Sequence, residues 1–354
     1  MPVKIGNTVV GEEYPPFIIA EMSGNHGASL KQALDLVEAA AQSGANAIKL
    51  QTFDADSMTL KSDLPIFKVE AEQKFWGGRS LWDLYDEAKT PRTWHKPIFE
   101  RARELGILCF STPFDEEAVD FLERLDPPAY KVASFECTDI PLIKYIASTG
   151  RPMLISVGMA TLEEIERTVD AAKCAGASQL VILKCTSTYP ASCENANVRA
   201  IPKLRELFSC EVGFSDHTMG IGSSIAAVAM GATVIEKHFA LSRSAGGTDV
   251  GFSLEPAEFT TLVEETRGAW AALGTEQIGP TNAEQDSLRY RRSIFAVRNI
   301  EAGEEFTPAN VRRIRPGLGL EPRFYESIIG QRAAVTITEG TPLHWDLVDA
   351  STEL

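Results

Sequence analysis

The chain has 354 residues, 44% of them hydrophobic, with 34 Lys and Arg set against 49 Asp and Glu for a net charge of −15 at pH 7. Such a chain can bury a large core, and its sign of charge excludes a general binder of nucleic acid or of anionic membrane. No run approaches the 18 or so apolar residues of a membrane span, and the opening "MPVKIGNTVVGEEYPPF" has neither the basic nor the apolar segment of a secretory leader. A soluble, cytoplasmic protein is therefore expected. The six cysteines form no C-x-x-C pair and most lie in or beside apolar runs, as reduced thiols do, so no disulfide is expected.

Eight short apolar runs follow one another along the chain. They are "FIIAE" (17–21), "AIKLQT" (47–52), "ILCFST" (107–112), "AYKVAS" (129–134), "PMLISVG" (152–158), "LVILKCT" (180–186), "EVGFSDH" (211–217) and "TVIEKHF" (233–239). Between most of them lie helical patterns such as "SLKQALDLVEAAAQSGA", "RTWHKPIFERARELG" and "TLEEIERTVDAAKCAGA", with apolar residues at three- and four-residue spacing. Near-continuous apolar strands alternating with helices predict a parallel sheet covered by helices, and eight such units predict a (β/α)8 TIM barrel. The alternative is an open doubly wound sheet. Against it, "AEMSGNHG" follows the first strand in place of a G-x-G-x-x-G turn.

Beyond the polar connector "AALGTEQIGPTNAEQDSLRY" the pattern changes to short strand-like runs broken by Gly and Pro, "RSIFAVRNIEAGEEFT", "NVRRIRPGLGL" and "AAVTITEGTPLHW". We expect a barrel over residues 1–280, a linker over 281–290 and a small β-rich domain over 291–354.

In a barrel of this kind the active site lies at the C-terminal strand ends. Those ends carry Glu21, Lys49 with Gln51, Ser111 with Thr112, Lys131 with Ser134, Ser156, Lys184 with Thr186, Ser215 with His217, and Glu236 with His238. Lys49, Lys131, Lys184 and Lys237, with the hydroxyls, would make a cradle for phosphate and carboxylate, although strand alternation turns some of them away. His217 and His238 are 21 residues apart, about one βα period, so they would cap neighbouring strands about 5 Å apart. Two imidazoles so placed can share a divalent ion and leave positions open for substrate; two unrelated structural histidines are the other reading. Mixed imidazole and oxygen ligation suits several divalent ions; Mn2+ is the first choice, Mg2+ or Co2+ could substitute and Zn2+ could bind. Glu21 and Glu236 are candidate acid/base groups or supporting carboxylates, or else ion-pair partners.

"FIIAEMSGNHGASL", "AIKLQT", "FSTPFDEEAVDFL", "AYKVASFE", "KCTSTYP", "GFSDHT" and "VIEKHF", with "IRPGLGL" in the tail, resemble the sialic acid synthase family across nearly the whole chain. The resemblance implies a (β/α)8 barrel with a C-terminal antifreeze-like (SAF, β-clip) domain, and an enzyme that condenses phosphoenolpyruvate with an amino sugar to a nine-carbon 2-keto acid. Within the family, "SLWDLYDEAKTPRTWH", "KVASFE" and "KCTSTYP" look like the pseudaminic acid synthase branch, which implies 2,4-diacetamido-2,4,6-trideoxy-L-altrose as the sugar. Synthesis of N-acetylneuraminate or legionaminate by the same mechanism is the alternative.

Carried over by position, the resemblance implies metal ligation by His217 and His238, a catalytic Glu21, and catalytic participation by Lys131 and Tyr189. It implies phosphoenolpyruvate contacts from Lys49, Thr112, Lys131, Ser134, Ser156, Ser187 and Ser215, and sugar contacts from Gln51, Tyr189, Asp249 and Arg315. Arg315 would reach from the small domain of one subunit into the barrel of another, which implies a domain-swapped homodimer. Read on its own, Arg315 is part of a solvated basic cluster with Arg312 and Arg313.

Overall fold

The computed structural model describes residues 2–70, 76–244 and 246–349, so residues 350–354 of the expected small domain lie outside the described residues. The chain divides into two compact units, Met1–Gly274 and Thr275–Leu354.

In the larger unit a hairpin of β1 (Val3–Ile5) and β2 (Thr8–Val10) precedes eight parallel strands. These are β3 (Phe17–Glu21), β4 (Ala47–Thr52), β5 (Leu108–Pro113), β6 (Tyr130–Val132), β7 (Met153–Ser156), β8 (Leu180–Cys185), β9 (Glu211–Asp216) and β10 (Val234–His238). Each pairs in parallel with its successor, and β10 returns to β3, closing the barrel. All eight expected strands are present, with ends displaced by no more than a few residues.

The apolar runs are continuous because both faces of each strand are covered. Inward positions such as Phe17, Ile19, Phe110, Leu154, Leu183 and Val234 pack with Val3, Ile5 and Val10 of the hairpin, which closes the N-terminal end. Outward positions such as Ile18, Ile48, Ile182, Val212 and Ile235 pack under the helices. Several crossover helices start on a polar cap: Ser29 caps the helix Leu30–Gln42 and accepts from the Gln32 amide, and Thr161 with Glu164 forms a capping box on the helix Leu162–Cys174. The barrel sequence ends with the 18-residue helix Pro256–Leu273. No helix among the described residues is long and apolar enough to cross a membrane, and all six cysteines are free.

In the smaller unit, the expected connector forms a 3-10 helix over Asn282–Tyr290. Strand β11 (Ser293–Ala296) then pairs antiparallel with β12 (Val311–Ile314) over a core that includes Ile294, Ile300, Phe306, Ile328, Ile337 and Leu343. The Ser293 hydroxyl donates to the Pro316 carbonyl and accepts from the Leu318 and Gly319 amides, fastening "RPGLGL" to β11. A side chain at Gly319 would meet the Ile294 and Leu343 carbonyls at 2.8 and 2.9 Å, so glycine is required by close backbone approach.

Candidate active site

Alternation along the strands sends Glu21, Lys49, Gln51, Thr112, Lys131, Ser156, Ser215, Glu236 and His238 toward the barrel axis above its apolar floor. With Ala133, Ser134, Tyr189 and His217 they line one pocket at the C-terminal mouth, of about 350 Å³ including the part open to solvent.

Two of the four lysines expected there point elsewhere. Leu183 occupies the interior, so its neighbour Lys184 faces outward and donates to the Cys185 carbonyl; Lys237, between inward Glu236 and His238, is likewise outside the barrel. Ser111 also faces away and bonds Thr52, while the Thr186 hydroxyl donates to the Asn195 carbonyl. The remaining two lysines are each matched by a carboxylate. Lys49 Nζ lies 2.6 Å from Glu21 Oε2 and 3.8 Å from Glu236 Oε1, and Lys131 Nζ lies 3.8 Å from Glu236 Oε1. The cradle is thus an alternating, formally neutral row, Glu21, Lys49, Glu236, Lys131, rather than the basic pocket expected.

Hydrogen bonds hold this row in place. Lys49 donates to Thr112 Oγ1 (3.1 Å), Gln51 Nε2 to Glu21 Oε1 (2.9 Å), Ser215 Oγ to Glu236 Oε1 (3.2 Å) and Lys131 to the Val132 carbonyl (3.0 Å). Burial raises the Glu21 carboxyl to about 7 although Lys49 opposes it, with the Glu236 charge adding to the rise. Glu236 moves down: its burial is outweighed by Lys131 and Lys49. Burial also lowers Lys131, against the pull of Glu236, whereas Lys49 is raised because Glu21 and Glu236 overcome its desolvation. Ser134 and Ser187 share a hydrogen bond of 2.7 Å beside the row, and a side chain at Gly158 would collide with both, the nearest approach being to Ser187 Oγ. Ser156 Oγ is buried in the pocket wall with no hydrogen-bond partner.

The two histidines expected to be neighbours have ring centroids 5.5 Å apart. His217 Nδ1 is 2.9 Å from the Thr186 carbonyl, which can only accept, so Nδ1 carries the proton and Nε2 has the lone pair. Burial lowers both imidazoles below the ordinary histidine range, His238 further than His217, and keeps them neutral. His238 Nδ1 is buried with no hydrogen-bond partner, 3.7 Å from Asp249 Oδ2. Two neutral imidazoles with unused nitrogen beside a neutral row of charges suit a divalent cation that would offset an incoming anion. Among the described residues no group of three or more His, Cys, Asp or Glu is placed to hold a metal ion, so the histidine pair alone is the candidate ligand set.

Tyr189 lies at the rim in tilted contact with two rings, its centroid 4.4 Å from that of His217 and 6.0 Å from that of Trp76. Burial pushes its phenol above the usual range, so it is a neutral donor. Asp249, raised to about 6 by burial against the bond from Ser23, is fixed by several loops: its amide donates to Asn25 Oδ1, and Asn25 Nδ2 donates to the Phe239 carbonyl and Ser253 Oγ. Ser23, Asn25 and Trp76 were not among the expected site residues. Ser23 and Asn25 lie in "FIIAEMSGNHGASL", one of the stretches that carry the family resemblance, and that was the signal for them; Trp76 lies in the long excursion after β4, where the quoted motifs give none. Arg315 lies in the smaller unit, exposed just after β12.

A closed parallel barrel that gathers carboxylates, lysines, hydroxyls and paired imidazoles at its C-terminal mouth defines a barrel-fold enzyme. Residues 36–278 match the family described as NeuB family, and residues 291–349 match the SAF domain. The chain belongs to the NeuB family. It is 44% identical over 341 residues to a pseudaminic acid synthase of Campylobacter jejuni, covering 96% of this chain and 98% of the relative. It is 36% identical to an N,N'-diacetyllegionaminic acid synthase of Legionella pneumophila, covering 96% of each. Among solved structures, an N-acetylneuraminic acid synthetase of Leptospira borgpetersenii superposes with a TM-score of 0.73 at 32% identity, over 82% of this chain and 96% of that one.

Proposed function

We propose that this chain is a pseudaminic acid synthase, condensing phosphoenolpyruvate with 2,4-diacetamido-2,4,6-trideoxy-L-altrose and water to give pseudaminic acid and phosphate. The observation that carries the chemistry is the row Glu21, Lys49, Glu236, Lys131 beside two neutral histidines; the choice of sugar rests on the similarity to the Campylobacter relative.

In this reading Lys49 and Lys131, with Thr112, Ser134, Ser156, Ser187 and Ser215, grip the carboxylate and phosphate of phosphoenolpyruvate. Ser156 Oγ, unpartnered and facing the pocket, has a free proton to give. Gln51, Tyr189 and Asp249 at the rim orient the sugar. His217 and His238 would hold a divalent ion, Mn2+ by preference, which when bound polarises the sugar's open-chain aldehyde. The C3 carbon of phosphoenolpyruvate attacks that carbonyl carbon, a carbon–carbon bond forms while the carbonyl π bond breaks and its oxygen takes a proton from solvent to become a hydroxyl, and positive charge develops at C2. Water adds there, and the tetrahedral carbon then releases phosphate by C–O cleavage. Glu21, poised near neutrality, takes the proton of that water. Positioning of both reactants in line is worth about 7 kcal/mol or more at best.

The proposal includes a domain-swapped homodimer in which Arg315 completes a partner's sugar site, and a cytoplasmic address suited to six free cysteines. Mass spectrometry of the product from phosphoenolpyruvate, Mn2+ and the 6-deoxy diacetamido sugar tests the reaction: a nine-carbon diacetamido 2-keto acid is expected, and recovery of unreacted sugar under all metals tried contradicts it.

A further inference from the structure

Behind the histidines, on the outer face of the barrel, lies an ion pair that the chemistry above does not use. Lys237 and Asp216 stand directly opposite each other in the β10–β9 ladder, with side chains 1% and 0% exposed. Lys237 Nζ donates to Asp216 Oδ2 at 2.8 Å and also to the Thr218 carbonyl. The same carboxylate accepts from Ser224 Oγ at 2.7 Å, on helix Gly222–Ala229, and from the Thr218 amide at 2.8 Å. All preceding outward positions on the two strands, Val212, Phe214 and Ile235, are apolar. The charges therefore appear only at the level of the histidines.

A buried pair of this kind is expensive to desolvate, and an apolar pair of similar volume often packs as stably or better. Its position gives it another use. His217 lies between Asp216 and Thr218, both bound by the Lys237 ammonium, and His238 is the residue after Lys237. One cation thus ties both neighbours of His217, the Asp216 carboxylate on one side and the Thr218 carbonyl on the other, to the strand position next to His238.

We propose that Lys237 and Asp216 are positioning residues, a clamp that sets the separation and orientation of His217 and His238. The inference rests on the reading of those histidines as metal ligands. It also predicts a property of the metal-free protein: with its flanks fixed, His217 keeps its Nδ1 proton on the Thr186 carbonyl.

The test uses the full-length double variant D216N/K237M, which removes both charges together and leaves no lone buried ion. Circular dichroism and thermal melting establish that it is folded. In metal-free wild type labelled with 15N-histidine, His217, assigned by its loss in H217Q, should show a slowly exchanging Nδ1 proton; in the folded double variant that proton should be lost to exchange or tautomer averaging. Mn2+ affinity by electron paramagnetic resonance should fall about tenfold or more, as outer-partner changes typically cause, while phosphoenolpyruvate affinity without metal stays near wild type. If the double variant does not fold, S224A, which keeps the ion pair but frees its carboxylate from one donor, carries the test with the same loss of His217 protection and a smaller loss of Mn2+ affinity. An unchanged His217 proton in a folded variant overturns the clamp whatever Mn2+ does. Loss of that proton in a protein whose wild type fails to bind Mn2+ upholds the clamp and removes the metal reading instead.

Discussion

Lys49 Nζ, 2.6 Å from Glu21 Oε2 at the barrel mouth, neutralises the one carboxylate that burial has brought to about 7. That contact lets a group with a shifted proton affinity sit beside an anion-binding lysine without a net charge in the pocket.

Replacing Lys49 should therefore act on both stability and catalysis. Lys49→Met leaves Glu21 and Glu236 buried without their shared cation, and loss of one partner from a buried pair typically costs about 3–5 kcal/mol. Urea unfolding of wild type and variant measures the loss, which should shrink as pH falls from 8 through about 7, because Glu21 without Lys49 takes up its proton more readily than in the wild type. A variant of wild-type stability at pH 8 would contradict the pairing.

Glu21→Gln keeps the shape and removes the base. It should lower kcat by about 100-fold or more with phosphoenolpyruvate binding retained. In the wild type the rate should rise with pH through about 7 and level off above it, because Glu21 accepts a proton only when ionised. The variant should lack that limb.

His217→Ala and His238→Ala should each abolish metal-dependent turnover, and chelation of the wild type should do the same until Mn2+ is restored. Full activity in the presence of excess chelator would remove the metal from the account. The histidines' low proton affinity fits ligation near neutral pH, where a protonated imidazole has no lone pair to give.

Two other histidines make a stability prediction independent of catalysis. Burial depresses His26 and His95 to about 4, and His95 in its neutral form bridges the Pro91 carbonyl and the Thr52 hydroxyl. Because the folded values lie below the unfolded one, their contribution is complete above about pH 6.5 and is lost as pH falls from there toward 4. Each should cost about 2 kcal/mol by pH 5. Urea midpoints at pH 7 and pH 5 measure the slope, and His95→Gln should reduce it by close to one proton.

The barrel was legible because burial on both strand faces leaves eight apolar runs that no other pattern in the chain imitates. Period-two alternation also held the answer for the lysines: Lys184 follows interior Leu183, and Lys237 sits between two inward residues, so neither can share the pocket with Lys49 and Lys131. What local pattern could not supply was pairing across the barrel. That Glu236 would sit between Lys49 and Lys131, or that Asn25 would fasten a loop more than 200 residues away, depends on closure of the sheet. For the same reason the expected basic pocket proved neutral: composition counts charges but does not place their partners.

The most direct test of the central claim is phosphate release from phosphoenolpyruvate with Mn2+, run in parallel on 2,4-diacetamido-2,4,6-trideoxy-L-altrose, N-acetylmannosamine and the legionaminate precursor. The account predicts the highest kcat/KM for the first sugar by a wide margin. Preference for either of the others would contradict the assignment of substrate while leaving the barrel and its row of paired charges in place, and no release with any of the three would contradict the proposed reaction itself.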